Sequence, residues 1–202
     1  MGELNYLKKK FERIESSSAS FRADYLSEAL SQVSRKVITK GPFYNICPYE
    51  IERAGFKKGR VLKKLPASIK NTHVYHLDEG ERILFVEVYG QSENIVSKEF
   101  YKYNDGSIER IHFTSVGKLR NILLSEVEGG LISRDLNWGA FGCSESLYEY
   151  SSTQLEKIKV RQKEHSNSEF SEFEVVFEYN GDELVRIVNV FPEGYQEQRF
   201  PC

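Results

Sequence analysis

Histidines are the residues of this chain best suited to metal binding or acid–base catalysis, and there are four. His73 and His76 lie three positions apart in a predicted strand, so they project from opposite faces and cannot readily chelate one ion together. His112 falls in another predicted strand and His165 in a polar loop. Because no CxxC or HExxH pattern accompanies them, we predict no metal site and no cofactor.

The segment FGCSES around Cys143 resembles a nucleophile turn in outline. It lacks the flanking glycine of GxSxG, and the residues after it, 147–150, alternate like a strand instead of starting a helix. Cys143 paired with His112 or His165 would give a cysteine-dependent enzyme, which is one alternative function. The better-supported interpretation is a buried thiol that behaves as a small apolar side chain, so we predict no catalytic residues.

Five basic residues within eight positions form a candidate phosphate or nucleic-acid contact: Lys57, Lys58, Arg60, Lys63 and Lys64. A ligand- or nucleic-acid-binding module that uses this segment is a second alternative function. The competing interpretation is a solvated flank whose Val61, Leu62 and Leu65 pack inward. Carboxylates elsewhere in the chain would repel a polyanion, so a nucleic-acid partner is disfavoured.

Charge is distributed unevenly along the 202 residues, although the net charge is only −2. Residues 1–70 carry a net charge of +8 and residues 71–202 carry −10. This asymmetry indicates surfaces for different contacts, or two regions that attract each other. The three cysteines, Cys47, Cys143 and Cys202, form no CxxC pair, and no apolar run approaches the ~18 residues of a membrane span. We therefore expect a cytoplasmic protein that does not bind membranes.

The elements predicted to position these residues are helices first and strands afterwards. Apolar residues recur at helical spacing over residues 4–14 and 21–33, Ser20 is placed to cap the second helix, and a short helical turn is expected between Pro48 and Gly55. From about residue 72, short β-type runs alternate with turn pairs such as Asp105-Gly106, and a longer loop is expected at 162–169. The prediction is one α+β domain over 1–202. A basic, mainly helical region (1–70) packs on an acidic antiparallel meander (71–202) of about nine or ten strands, as a strongly twisted sheet or partial barrel.

Three stretches of the sheet region share one pattern: YKYNDGSIERIHF, YEYSSTQLEKIKV and FEYNGDELVRIVNV. Each has an aromatic residue, any residue, a tyrosine, four turn-type residues and then Ile or Leu, which predicts a hairpin in which the tyrosine faces that Ile or Leu. The first aromatic should then face a basic residue two positions further out, namely Arg110, Lys157 or Arg186. In the last copy one buried face is expected to hold Phe173, Val175, Phe177, Tyr179, Leu184, Val188 and Val190.

This hairpin spacing resembles the tyrosine–aspartate hairpins of Rhs-type shell proteins, with a loop one residue shorter. The consecutive meander is also similar to small cytoplasmic immunity proteins of bacterial polymorphic-toxin systems, of the contact-dependent-inhibition or Rhs-like kind. The resemblance implies a protein partner, the cognate toxin, that the immunity protein neutralises by binding. Many such toxins are nucleases with basic clefts, which an acidic sheet surface would approach and block.

The candidate partner-binding residues are acidic groups that flank the last hairpins, together with the lone tryptophan. They are Glu169, Glu172, Glu174, Glu178, Asp182, Glu183 and Trp138. Of these, Glu174 and Glu178 lie opposite the predicted buried face and should be exposed. Trp138 sits among turn-forming residues, which leaves two interpretations open: a core plug, or an exposed anchor for a partner.

Overall fold

The computed structural model describes residues 2–90, 96–165 and 167–201. Within these ranges the chain forms three helices and one thirteen-stranded antiparallel sheet, so the predicted α+β class is confirmed and the predicted strand count is too low. The helices are α1 (Gly2–Glu15), α2 (Ser18–Leu30) and α3 (Glu50–Arg53). The strands are β1 (Arg35–Lys40), β2 (Arg60–Leu62), β3 (Thr72–Leu77), β4 (Ile83–Tyr89), β5 (Val96–Asn104), β6 (Ser107–Phe113), β7 (Leu119–Glu128), β8 (Leu131–Gly139), β9 (Cys143–Ser151), β10 (Gln154–Lys163), β11 (Ser171–Asn180), β12 (Glu183–Val190) and β13 (Gln196–Phe200).

The sheet is an open meander in which strands from β3 to β13 lie in chain order. β1 is inserted beside β3, and β2 forms the edge next to β1. Two of the additional strands, β1 and β2, therefore belong to the region predicted to be mainly helical. β2 has only three residues, too few for an alternating pattern to predict a strand.

Two-residue turns close several hairpins where the sequence predicts them. Asp105-Gly106 joins the paired residues Asn104 and Ser107, and Gly129-Gly130 joins β7 to β8. Both glycines of the second turn and Gly106 have positive φ, the backbone conformation that favours glycine in such turns. These turns fix the register of the meander.

The helical face of the sheet is the one that α1 and α2 cover. Leu7, Phe11 and Ile14 of α1 are at most 4% exposed and meet a core that includes Phe85 and Phe100. Burial of this stripe confirms the helical spacing read from the sequence. The second helix begins at Ser18 after an N-cap at Ser17, earlier than the predicted cap at Ser20. α1 packs on β7 and β8 and α2 on β5, so the helices lie over the middle of the sheet.

The opposite face, the strap face, is crossed by residues 41–59, which we call the strap. The strap leaves β1 at one side of the sheet, and the backbone carbonyl of its Arg53 accepts a 3.0 Å hydrogen bond from Arg199 of β13, at the other side. Eleven strand spacings would place β1 and β13 ~53 Å apart in a flat sheet. The strap reaches only ~40 Å from Lys40 to Arg53, and its return from Arg53 to Gly59, whose N–H donates to the Pro42 carbonyl beside β1, spans at most ~20 Å. The sheet must therefore curve, with the strap face on its concave side.

The repeated hairpins pair as predicted next to their turns. In each copy the tyrosine faces the Ile or Leu: Tyr103 with Ile108, Tyr150 with Leu155, and Tyr179 with Leu184. The first aromatic faces a basic residue only in the first copy, where Tyr101 lies opposite Arg110. In the other two copies the register shifts after the tyrosine pair, and the prediction for Lys157 and Arg186 is wrong.

One extra residue causes the shift in each case, Glu156 in β10 and Val185 in β12, and such a bulge reverses which face later residues occupy. Tyr148 therefore faces Ile158, and Phe177 faces Ile187.

The same bulge divides the face that we predicted to be buried in the last hairpin. Val175 and Phe177 are buried on the strap face as expected. Beyond the bulge, Ile187 replaces Val188 on that face and is completely buried. Val188 and Val190 lie on the helical face instead, so their predicted placement is wrong.

Candidate functional site

The helical face is left without a covering helix over β9–β12, and charged residues occupy this area. We call it the charged surface; its residues are Leu147, Glu149, Lys157, Lys159, Arg161, Glu172, Glu174, Glu178 and Arg186. Basic and acidic side chains alternate from strand to strand, with Lys157 Nζ 2.9 Å from a Glu174 oxygen. Arg186 approaches Glu178 to 3.1 Å. Cross-strand pairs of this kind order long side chains into a fixed pattern.

The predicted acidic residues do not form one acidic patch. Glu172 pairs with Arg161 at 3.7 Å, and Glu174 and Glu178 pair as described above. Glu169 lies in the loop before β11, whereas Asp182 and Glu183 lie at the turn after it, and both ends are exposed. A ten-residue strand of ~34 Å separates these ends. The charged surface is therefore mixed in sign, with its carboxylates neutralised by neighbouring cations.

A hollow of about 680 Å³ lies where α1 meets the sheet, beside the charged surface. Trp138 lines this hollow and also packs against the helical core. It is therefore partly a core residue, as one interpretation predicts, and its role as an anchor for a partner stays a prediction. Phe141 at the rim is 74% exposed. A second hollow of about 600 Å³ follows along β9–β12 and shares Glu145 and Arg161 with the first. Together the two hollows form one continuous depression on the helical face.

The basic segment forms the β2 edge of the sheet, and its five cations are all exposed. Val61 and Leu65 are 56% and 47% exposed, so the expectation that they pack inward is wrong. Lys58 lies 4.8 Å above the ring of Phe43 of the strap. Basic residues on an edge strand also discourage pairing with another chain, because they keep its open backbone groups hydrated.

The geometry around Cys143 does not assemble a catalytic pair within the described residues. Burial raises the pKa of its thiol, and the charges of Lys163 and Arg161 lower it only in part. His112 and Cys143 both line a further hollow at the ends of the strands, but no hydrogen bond joins them among the described residues. Cys143 is a buried free thiol, as the better-supported interpretation predicts, and Cys47 is also a buried free thiol. Cys202 lies outside the described residues.

A buried polar cluster on the strap face was not predicted. Arg110 of β6 forms an ion pair with Glu50 of α3, and its Nη2 donates to Cys47 Sγ at 3.5 Å. Although burial alone would raise the pKa of Glu50, the charge and hydrogen bonds of Arg110 lower it. The Cys47 thiol lies 3.7 Å from Asp135 Oδ1, and burial raises its pKa to about 12.

Tyr148 extends this cluster to Arg53, the arginine of the strap. Its hydroxyl donates to Asp135 and accepts a 3.0 Å hydrogen bond from Arg53. The side chain of Arg53 also lies 5.6 Å from the tyrosine ring. These contacts fasten the strap to β8 and β9 in the middle of the concave face.

The sequence contained one signal for this cluster. Asp135 and Asn137 alternate with the apolar Leu136 and Trp138 in β8, which marks a strand with one apolar and one polar face. What no local pattern indicated is that the polar face would be covered by residues nearly 90 positions away, as the Cys47–Asp135 contact shows.

No protein-family model matches the chain, and no curated protein matches it. Across residues 2–90, 96–165 and 167–201, no group of three or more His, Cys, Asp or Glu residues is arranged to hold a metal ion. Within the same ranges no helix has both the length and the apolar character to cross a membrane.

Proposed function

We propose that this chain is an immunity-type binding protein that neutralises a toxin by docking the charged surface over the toxin's active site. The observation that carries the proposal is that α1 and α2 cover the middle of the helical face and leave its β9–β12 part as an ordered, uncovered platform. The resemblance of its repeated hairpins to immunity proteins supplies the partner class. Nucleases are a toxin class that the resemblance implies, and the net charge of −10 over residues 71–202 favours approach to a basic cleft, although the charged surface itself holds four basic and four acidic residues.

The mixed charges change the expected mode of docking. A surface of paired charges contributes through matching of position and sign, more than through long-range attraction. The two hollows and the exposed Leu147 and Phe141 provide apolar contact area between the charged rows. Exposed aromatic residues beside a hollow are typical of the anchors that dominate binding energy.

The test is a growth assay in which the chain is co-expressed with the toxin encoded beside its gene. Wild type should restore growth, and the double swap Lys157→Glu/Glu174→Lys should abolish protection. The swap retains an ion pair between positions 157 and 174, so the free energy of unfolding is expected to change little. The two charges that a partner would contact are reversed in sign. The matched control is Arg35→Glu/Glu81→Arg, which swaps an exposed pair outside the charged surface. Equal protection by both swaps would refute the charged surface as the docking site.

A second candidate function, nucleic-acid binding by the β1–β2 edge, is favoured by one specific observation. Residues 29–49 and 54–77, which contain β1, β2 and β3, hold nine basic and no acidic residues. β2 lies ten strand spacings from β11, ~48 Å along the sheet. The Debye length is only ~8 Å at physiological salt. Repulsion of a polyanion at this edge by the carboxylates of β11 is therefore largely screened.

Fluorescence anisotropy with a labelled single-stranded RNA tests this second candidate. Reversal of Lys57, Lys58 and Lys63 to Glu should abolish binding, whereas Lys8→Glu/Lys9→Glu on α1 should not. Wild-type affinity should fall steeply with salt, because each phosphate contact releases a counterion. Binding that both variants weaken equally would indicate nonspecific attraction.

A further inference from the structure

The concave strap face contains a polar cleft whose floor of Asn121, Asn137 and Ser144 neither candidate function uses. Its inner part, about 280 Å³, lies between the strap and strands β6–β9, over the buried cluster of Arg110 and Asp135. Its outer part, about 680 Å³, opens towards the ends of the strands. The two parts adjoin, since Asn121, Asn137 and Ser144 line both. These volumes are in the range of small-molecule sites.

The floor of the cleft offers donors and acceptors side by side. Asn121 Nδ2 donates to Asn137 Oδ1 at 2.8 Å, which leaves the carbonyl oxygen of the first amide and the NH₂ group of the second for other partners. The hydroxyl of Ser144 lies on the neighbouring strand. Amide side chains oriented by one mutual hydrogen bond are suited to a ligand whose groups both donate and accept.

Arg110 lies buried beneath the floor of the cleft. It is 6% exposed, and its terminal nitrogens are held by Glu50 and Cys47. Its Nε has no hydrogen-bond partner among the described residues. An unpaired donor on a buried guanidinium costs stability. Because this Nε is closed to solvent, it belongs to the packed floor and offers no contact to a ligand.

The mouth of the cleft is basic and aromatic. Among the described residues, Arg120 has no carboxylate within ion-pair distance. Phe56 and Phe141, 59% and 74% exposed, present ring surfaces on the lining. Burial, with the charges of Arg120 and Arg110, lowers the pKa of His112 to about 4, so this neighbouring ring is neutral at pH 7.

We propose that this cleft binds a small anionic sugar, either a sugar phosphate or a sugar acid. The hydroxyls of the sugar would pair with Asn121, Asn137 and Ser144, and its anionic group would lie against Arg120. The exposed rings supply apolar surface for the C–H face of the sugar. The inference goes beyond toxin docking, because the cleft lies on the face opposite the charged surface.

Isothermal titration calorimetry of the full-length chain tests the proposal with four probes: glucose 6-phosphate, glucuronate, glucose and inorganic phosphate. At least one of the two anionic sugars should bind about tenfold more tightly than glucose or phosphate. Asn137→Ala/Ser144→Ala and Arg120→Gln should each weaken that binding roughly tenfold. Asn189→Ala is the matched control, a half-buried asparagine of β12 outside the cleft.

Binding should also shift the NMR ring signals of His112 and leave those of His165 unchanged. The proposal is overturned if neither anionic sugar binds, or if phosphate alone binds as tightly as either. It is equally overturned if the cleft variants, shown to be folded by circular dichroism, bind like wild type.

Discussion

Glu87 of β4 provides a quantitative test of the electrostatics at the basic side of the sheet. Its carboxylate accepts from His76 Nε2 at 3.2 Å and forms an ion pair with Lys98 of β5. The hydrogen bond from His76 and the charge of Lys98 outweigh burial and lower the pKa of Glu87 from 4.5 to about 2. The ionised carboxylate therefore joins three adjacent strands, β3, β4 and β5.

This lowering corresponds to an upper limit of ~3.4 kcal/mol of stability, at 1.36 kcal/mol per pH unit. Solvent screens the partly exposed pair, so we expect Glu87→Gln to reduce the free energy of unfolding by ~1–2 kcal/mol at pH 7. Because the folded pKa lies below the unfolded one, this contribution is present above pH 4.5 and is lost as pH falls towards 2.

Urea unfolding of wild type and Glu87→Gln at pH 7, 5, 4 and 3 measures this difference directly. The difference should remain constant down to about pH 5 and shrink below it. Glu149→Gln is the control, because the exposed Glu149–Lys159 pair should contribute little at any pH. Equal stabilities at pH 7, or a difference that does not shrink in acid, would refute the reasoning.

Three further predictions concern packing and the buried cluster. Phe85→Ala should lower the free energy of unfolding by ~3–5 kcal/mol, because this ring is 1% exposed. Phe141→Ala, at an exposed ring, is the control and should change it by less than ~0.5 kcal/mol in the same urea assay. Arg110→Met should cost ~1–3 kcal/mol, since it leaves the partly exposed carboxylate of Glu50 without its partner; a near-neutral result would contradict the assignment of the ion pair. Alkylation at pH 8, read by peptide mass spectrometry, should leave Cys47 unmodified until urea unfolds the chain, because burial raises its pKa to about 12.

Elements whose pattern repeats locally could be predicted from the sequence. The α1 stripe of Leu7, Phe11 and Ile14 and the turns at Asp105-Gly106 and Gly129-Gly130 are confirmed. The bulges at Glu156 and Val185 could not be predicted, because one residue count fits both a regular and a bulged hairpin. Pairing with the neighbouring strands decides whether a hairpin is regular or bulged.

The candidate sites were less predictable than the fold, because they depend on contacts between distant segments. The charge pattern of β9–β12 requires the register of four strands, and the predicted acidic residues gained cationic partners such as Lys157 through that register. The cleft on the concave face requires the strap to lie over β6–β9. Asn121 and Asn137 carry no local signal that they would meet.

The topology of the sheet also limits how its size can change during evolution. From β3 onwards, strands adjacent in the sheet are adjacent in the chain. One more hairpin would therefore widen the sheet by ~10 Å without changing the order of the other strands. The three similar hairpins are what repeated duplication of such a unit would leave. The strap imposes the opposite requirement, because its ~40 Å reach must still bring Arg53 to β13. Strap length and strand number must therefore change together.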